Sequence, residues 1–352
     1  NGVNESIVGA DNLAWEKSTK ADVGIEAKFF KEKLSLVVDY FNDQRNGIFQ
    51  QRTQVPDFAG IITMPYGNVG KMRSYGADGN ISYSQDIGKD FSFTIRGNFT
   101  YSKNDVQNWE QADPKYPYQQ ISGMPYGVQR GYIALGLFRD DQDVESSPSQ
   151  FGTVRPGDIK YKDVNGDGII NGMDERPIGY PEGWAPIMSF GGNIGLQWKG
   201  IDLNIDLSGG AMQGWRQNYE LANAYHGNGN SPVYLLEDRW HRADLYDPDS
   251  EWIPGRYPAI RKGEFSYNNK NSDFWLHNVR YLRIKNLEVG YSLPAQLLRP
   301  IRAQKVRVYA NVSNLCSFDN VGKFGVDPEI TAAAAVVYPQ QRTFLLGFNI
   351  TY

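Results

Sequence analysis

The sequence predicts an all-β protein, and within that class a transmembrane antiparallel β-barrel. Three observations carry this expectation. Several segments alternate strictly between apolar and polar side chains. Short turns and long polar loops take turns along the chain. The composition is rich in Tyr (22), Phe (17), Trp (8) and Gly (37), which suits strands and turns better than helices.

The expected strands, in chain order, cover 19–30, 34–49, 72–85, 91–102, 187–198, 201–208, 278–293, 305–315 and 344–352. The clearest is the fourth. Phe91, Phe93, Ile95, Phe99 and Tyr101 share one face, and Ser92, Thr94, Arg96, Asn98, Thr100 and Ser102 share the other. In the sixth, Ile201, Leu203, Ile205 and Leu207 oppose Asp202, Asn204, Asp206 and Ser208. In the ninth, Phe344, Leu346, Phe348, Ile350 and Tyr352 oppose Leu345, Gly347, Asn349 and Thr351. A period of two marks a strand with one apolar and one wet face. The seventh changes phase between Ile284 and Leu287, so a bulge near Lys285-Asn286 is expected to restore its apolar face. The segment 129–138 (QRGYIALGLF) is expected to be a loop hairpin or an inward-folded piece.

Short connections fall at 31–33, 86–90 and 199–200, with a Pro-containing link at 294–304. Long polar loops fill about 50–68, 103–185, 213–272 and 316–340. Outer-membrane barrels place short turns on the periplasmic side and long loops outside. No apolar run reaches the roughly 18 residues of a transmembrane helix. A barrel strand needs only about ten residues of alternating polarity. A β-sandwich also alternates, but here aromatics stand at strand ends and the polar faces favour Ser, Thr and Asn, as in a barrel with a wet lumen. Nine strands is odd, and open edges are not tolerated in lipid, so the barrel is expected to be completed by an N-terminal portion.

Other classes find little support. The net charge of −4 is mild and mixed in sign, which gives nucleic acid no footprint. The single Cys316 excludes an internal disulfide and reads as a strand-end residue. The first residues, from Asn1, lack the basic and apolar regions of a signal peptide. No nucleophile elbow, zinc spacing, P-loop or dinucleotide fingerprint is present, so no enzyme is expected. The charged stretch 237–247 (EDRWHRADLYD), with His241, reads as a solvated loop.

Several segments resemble SusC/RagA-like TonB-dependent outer-membrane transporters. They are NLAWEKSTKADVGIEAKFFKEKLSLVVDYF (12–41), NVGKMRSYGADGNISY (68–83), PGDIKYKDVNGDGIINGMDERPIGYP (156–181), LRIKNLEVGYSLP (282–294), VRVYANVSNL (306–315) and YPQQRTFLLGFNITY (338–352). One departure is RSYGADG (73–79), where the family more often has an acidic residue after the glycine pair. The resemblance implies a barrel of about 22 strands, of which 1–352 would be the C-terminal portion. It implies a plug and a TonB-contacting segment N-terminal to the matched region and absent from this chain. It also implies a SusD-like surface lipoprotein over the mouth, and residence in the outer membrane of a Gram-negative, Bacteroidetes-like cell. The terminal aromatic Tyr352 resembles the signal read by barrel-assembly machinery.

Asp163, Asn165 and Asp167, with Gly168 and the backbone carbonyl of Ile169, match the first seven positions of an EF-hand-type calcium loop. The twelfth position is Asp174, shorter than the usual Glu. The expected cofactor is a structural Ca2+ that clips a long outer loop; the alternative is an Asx/Gly turn without metal. Trp109, Trp184, Trp215, Trp240 and Trp252 fall in expected outer loops and are candidate substrate-stacking residues, with loop packing or lid contact as the alternative. The expected function is import of a large nutrient, an oligosaccharide first and an oligopeptide second. A passive porin-like channel and a secreted, calcium-dependent glycan-binding β-sandwich are the alternative readings.

Overall fold

Nine long strands follow one another in a single antiparallel sheet, each hydrogen-bonded to its neighbours in sequence. They are β1 (Lys17–Phe29), β2 (Leu34–Gln51), β3 (Tyr66–Ile87), β4 (Phe91–Asn108), β5 (Met188–Trp198), β6 (Ile201–Arg216), β7 (Leu276–Ser292), β8 (Lys305–Asp319) and β9 (Thr343–Thr351). The computed structural model describes residues 9, 13–54, 63–183, 185–261, 267–329, 338 and 340–352. All nine expected strands are present, and no element other than a strand neighbour interrupts their up-and-down order.

Several strands outrun the length a bilayer requires. β3 has 22 residues and β2 and β4 have 18 each. About ten residues suffice to cross, so the surplus forms a wall above the membrane at the long-loop end. The expected boundaries were short there because polar residues populate both faces of these extensions. One consequence is a correction: Trp215 belongs to β6 and not to a loop.

The apolar row faces away from any protein layer. Val23, Ile25, Ile95, Val289, Phe344, Leu346 and Phe348 are exposed, Phe348 to 70%. Among the described residues the other sheets are three two-stranded pieces, all inside loops. No second sheet covers the first, which removes the sandwich reading. The opposite face is polar. Asn193 donates to Asn204 (2.8 Å) and Asp206 (2.7 Å), and Arg307 donates to Asp202 (3.0 Å) and Glu288 (2.7 Å).

The bulge falls where expected. Ile284 pairs with Leu207 and Asn286 with Asp206, leaving Lys285 unpaired; the register against β8 slips at the same point. Lys285 turns inward to Glu329 (2.5 Å), beside Arg283, which reaches Asp327 (2.6 Å) and Glu329 (3.2 Å). The turn between β5 and β6 uses Lys199 and Gly200, with φ of 47° and 86°. Two positive φ values make the primed hairpin turn whose twist matches the strands. A Cβ on Gly200 would stand 2.9 Å from the Ser292 carbonyl, so glycine is required there.

The two longest loops, 109–187 and 217–275, are not the solvated polar segments expected. Together they build a hydrophobic core. Tyr132, Ile159, Tyr161, Ile170, Leu235, Tyr257, Tyr267 and Trp275 are all buried in it. Its polar groups are satisfied: Tyr161 donates to the Tyr267 carbonyl (2.9 Å) and the Trp275 indole to the Asn268 carbonyl (2.6 Å). Residues 129–138 do not fold on themselves. Gln129–Gly131 pairs with Arg176–Ile178, and Ala134–Leu137 with Ile159–Tyr161. A second cluster of Trp215, Leu221, Val279, Val321, Phe324 and Val326 ties this cap to the strands.

Candidate functional site in the outer loops

The acidic loop 163–174 is closed by its own side chains. The Asp163 carboxylate accepts the N–H groups of Gly166 and Gly168, both at 2.7 Å. Asn165 accepts from the Asp167 N–H (3.0 Å), and Asp167 from the Ile169 N–H (2.9 Å). Gly166 and Gly168 take φ of 76° and 83°, the left-handed turns such a winding loop needs. Asp174, fully buried, accepts from Val164 and Asn171, both at 2.8 Å, and so joins the two ends of the loop. Ile170 anchors it in the cap core.

Electrostatics follow this geometry. Partial desolvation opposes the charge on Asp163, yet the N–H groups of Gly168, Gly166, Asp167 and Asn165 outweigh it and hold the carboxyl below its ordinary range. Tyr118, which donates to the Met173 carbonyl (2.6 Å), has its phenol pushed up by desolvation and then by Asp174, Tyr116, Asp163 and Asp167. Among the described residues no three His, Cys, Asp or Glu side chains stand together as a metal cluster. The donors in the loop are carboxylate, amide and carbonyl oxygens, the chemistry that fits a hard cation.

The five tryptophans separate into distinct surroundings. Trp184 lies outside the described residues. Trp215 is 4% exposed, with its ring 5.4 Å from His277 and 5.7 Å from Phe324. It is a core residue and has no free face for a ligand, a correction to the expected stacking role. Trp109 is half-buried at the end of β4, its ring 5.9 Å from Tyr126. Trp240 is buried and lines a cavity. Trp252 lines the same cavity, which has a volume of about 490 Å³. The guanidinium of Arg242 lies 4.2 Å from the Trp252 ring centre and that of Arg155 lies 5.6 Å from it.

This cavity is where the structure and the sequence reading part. Arg239, His241 and Arg242, expected in a solvated loop, are half-buried in its wall. The residues are brought there by pairing of His241–Arg242 with Trp252–Ile253 and by the Arg239–Tyr257 bridge. Beneath them Asp158, fully buried, accepts from Arg261 (Nε, 3.1 Å), Asn268 (3.0 Å) and the Arg155 N–H (2.9 Å). No local motif announces Arg155 or Asp158, because their partners lie about a hundred residues downstream.

The sequence that folds into this up-and-down sheet, apolar on one face and polar on the other, matches a known family model. The description "TonB dependent receptor-like, beta-barrel" fits residues 1–315. The chain belongs to that family. This TonB-dependent receptor barrel is 25% identical to "TonB-dependent receptor P3" of Formosa agariphila, over 100% of this chain and 36% of that protein. It is 24% identical to "TonB-dependent receptor SusC" of Bacteroides thetaiotaomicron, over 97% of this chain and 32% of that one. Among solved structures, the RagAB peptide importer in its open-open state superposes with a TM-score of 0.71 at 22% identity, covering 99% of this chain and 36% of that chain. The receptor barrel is thus similar to SusC and shares the fold of the RagAB importer, and it resides in the outer membrane. It spans about a third of the length of the curated relatives it matches.

Proposed function

We propose that this chain is the C-terminal wall and outer cap of an importer for oligomers too large for passive porins. The observation that carries the reading is the two-sided sheet. Its exposed apolar row suits lipid, its polar row suits a watery passage, and a folded cap stands at one mouth. A SusD-like lipoprotein would close over the cap. TonB would act through a plug in a preceding portion of the protein. The substrate would be an oligosaccharide or an oligopeptide, bound in the cap without any bond being broken.

The test is uptake by cells that carry the full-length protein. Growth on an oligomer should require it and should stop when TonB is removed. Uptake that persists without TonB would make the barrel a passive channel instead.

The acidic loop supports a further reading, a structural calcium ion. Asp163, Asn165, Asp167, Asp174 and the Ile169 carbonyl would hold it, and the negative potential felt at Tyr118 favours a cation beside them. The ion would keep the loop at the cap surface rigid. Replacing Asp163 and Asp167 together with Ala should make 156–181 sensitive to protease, as should a chelator on the unaltered protein. Equal cleavage with and without chelator would discard the ion.

A further inference from the structure

We propose that the cavity around Trp252 is an anchor for an acidic side chain of an oligopeptide. This rests on the import reading above and names the substrate class for it.

Three guanidinium groups, those of Arg155, Arg239 and Arg242, line one cavity of about 490 Å³. Among the described residues none of them has a carboxylate within ion-pair distance, whereas Arg261 next to them is paired with Asp158. The Arg155 Nε is buried and has no hydrogen-bond partner. Desolvation and the charges of Arg261 and Arg242 all disfavour the charged form of Arg155, with only Asp158 opposing. Like charges held this close repel, and an incoming anion relieves the repulsion while supplying the missing acceptor. The one acidic residue in the lining, Asp141, is exposed.

The remaining lining decides what carries the anion. Leu236, Trp240, Trp252 and Pro156 are apolar. Sugar hydroxyls need acceptors as well as donors, and this wall is dominated by donors. A carboxylate next to an aliphatic or aromatic group fits both halves of the lining. A second cavity, also of about 490 Å³, shares Tyr225, Ala259 and Ile260 with the first. Asn223 and the Tyr225–Asn228 turn line it, residues whose amide groups suit those of a neighbouring peptide unit. Two adjacent chambers suit an oligomer better than a single small molecule.

The experiment uses the full-length transporter in detergent and a fluorescent hexapeptide of alternating leucine and aspartate. Its twin carries asparagine at each aspartate. At low salt the acidic peptide should bind at least about tenfold more tightly than the twin. The preference should vanish in the double variant Arg239→Gln, Arg242→Gln. It should be retained in large part by Arg239→Lys with Arg242→Lys, which keeps the charge and guards against a simple folding defect. Equal binding of the two peptides, or a preference that survives the glutamine pair, overturns the proposal. So does displacement of the peptide by trigalacturonate at lower concentration than by unlabelled peptide, which would make the ligand an acidic glycan. Loss of TonB-dependent uptake for every oligomer would remove the import reading, and the detergent measurement would still decide the pocket.

Discussion

Asp158 has 0% exposure, and the donors around it come from residues 155, 261 and 268. Removing one member of a buried ion pair leaves the other charge unmatched, at a cost of about 3–5 kcal/mol. Asp158→Ala should therefore open the cap. In intact cells, protease should then cut within 141–175 and 217–261, while the strands stay assembled. Trp215→Ala should cost about 3–5 kcal/mol, because an indole is removed from a closed cluster. Trp252→Ala should leave folding nearly intact and weaken ligand binding, since its ring lies at a cavity wall. Thermal unfolding beside binding separates the two. The acidic loop has a pH signature with a definite sign. The Asp163 pKa is lowered in the fold, so the stabilisation is complete above the ordinary carboxylate range and is lost as pH falls through the lowered value. Protection of Gly166 and Gly168 against hydrogen exchange, relative to the intrinsic rate at each pH, should persist at mildly acid pH and fall only below that range. Protection already lost at mildly acid pH would contradict the assignment.

At the level of elements, what could be foreseen depends on how local the physics is. Alternation acts within one strand, so all nine strands and the Lys285 bulge were legible from their own residues. Strand ends were less legible, because above the lipid neither face needs to be apolar. The cap was not legible. Its core draws Tyr132, Ile159, Tyr161, Leu235 and Tyr267 from stretches separated by tens of residues, with no repeat to betray a shared face. The arginine chamber was missed for the same reason, since Arg155 and Arg242 meet only after the two loops have docked. The acidic loop stood out because its ligand-type residues are consecutive. One element offers a direct test of register. Deleting Lys285 removes the unpaired residue and makes Ile284 and Asn286 consecutive opposite Leu207 and Asp206. Leu282 and Ile284 then stay on the same face as Leu287, Val289 and Tyr291 without a bulge. The variant should still appear as a heat-modifiable band in the outer membrane. A missing band would show that assembly needs the bulge or the Lys285 contact to Glu329.

For the molecule as a whole, β1 and β9 are the outermost strands of the sheet, and each carries an exposed apolar row. Unpaired strand edges template further pairing, and a lipid-facing surface cannot be left in water. Expressed by itself without detergent, this chain should aggregate. A soluble monomer with a sharp thermal transition would contradict the membrane-facing assignment.

The cap has its own aromatic interior and meets the strands in a separate cluster that includes Trp215, Val279 and Phe324. On the import reading proposed above, insertion into the bilayer and choice of cargo would thereby be governed by different residues. Mutation could then reshape the chambers above the membrane while the staves below keep the same lipid fit, so that one barrel would be retuned to a new nutrient without being rebuilt.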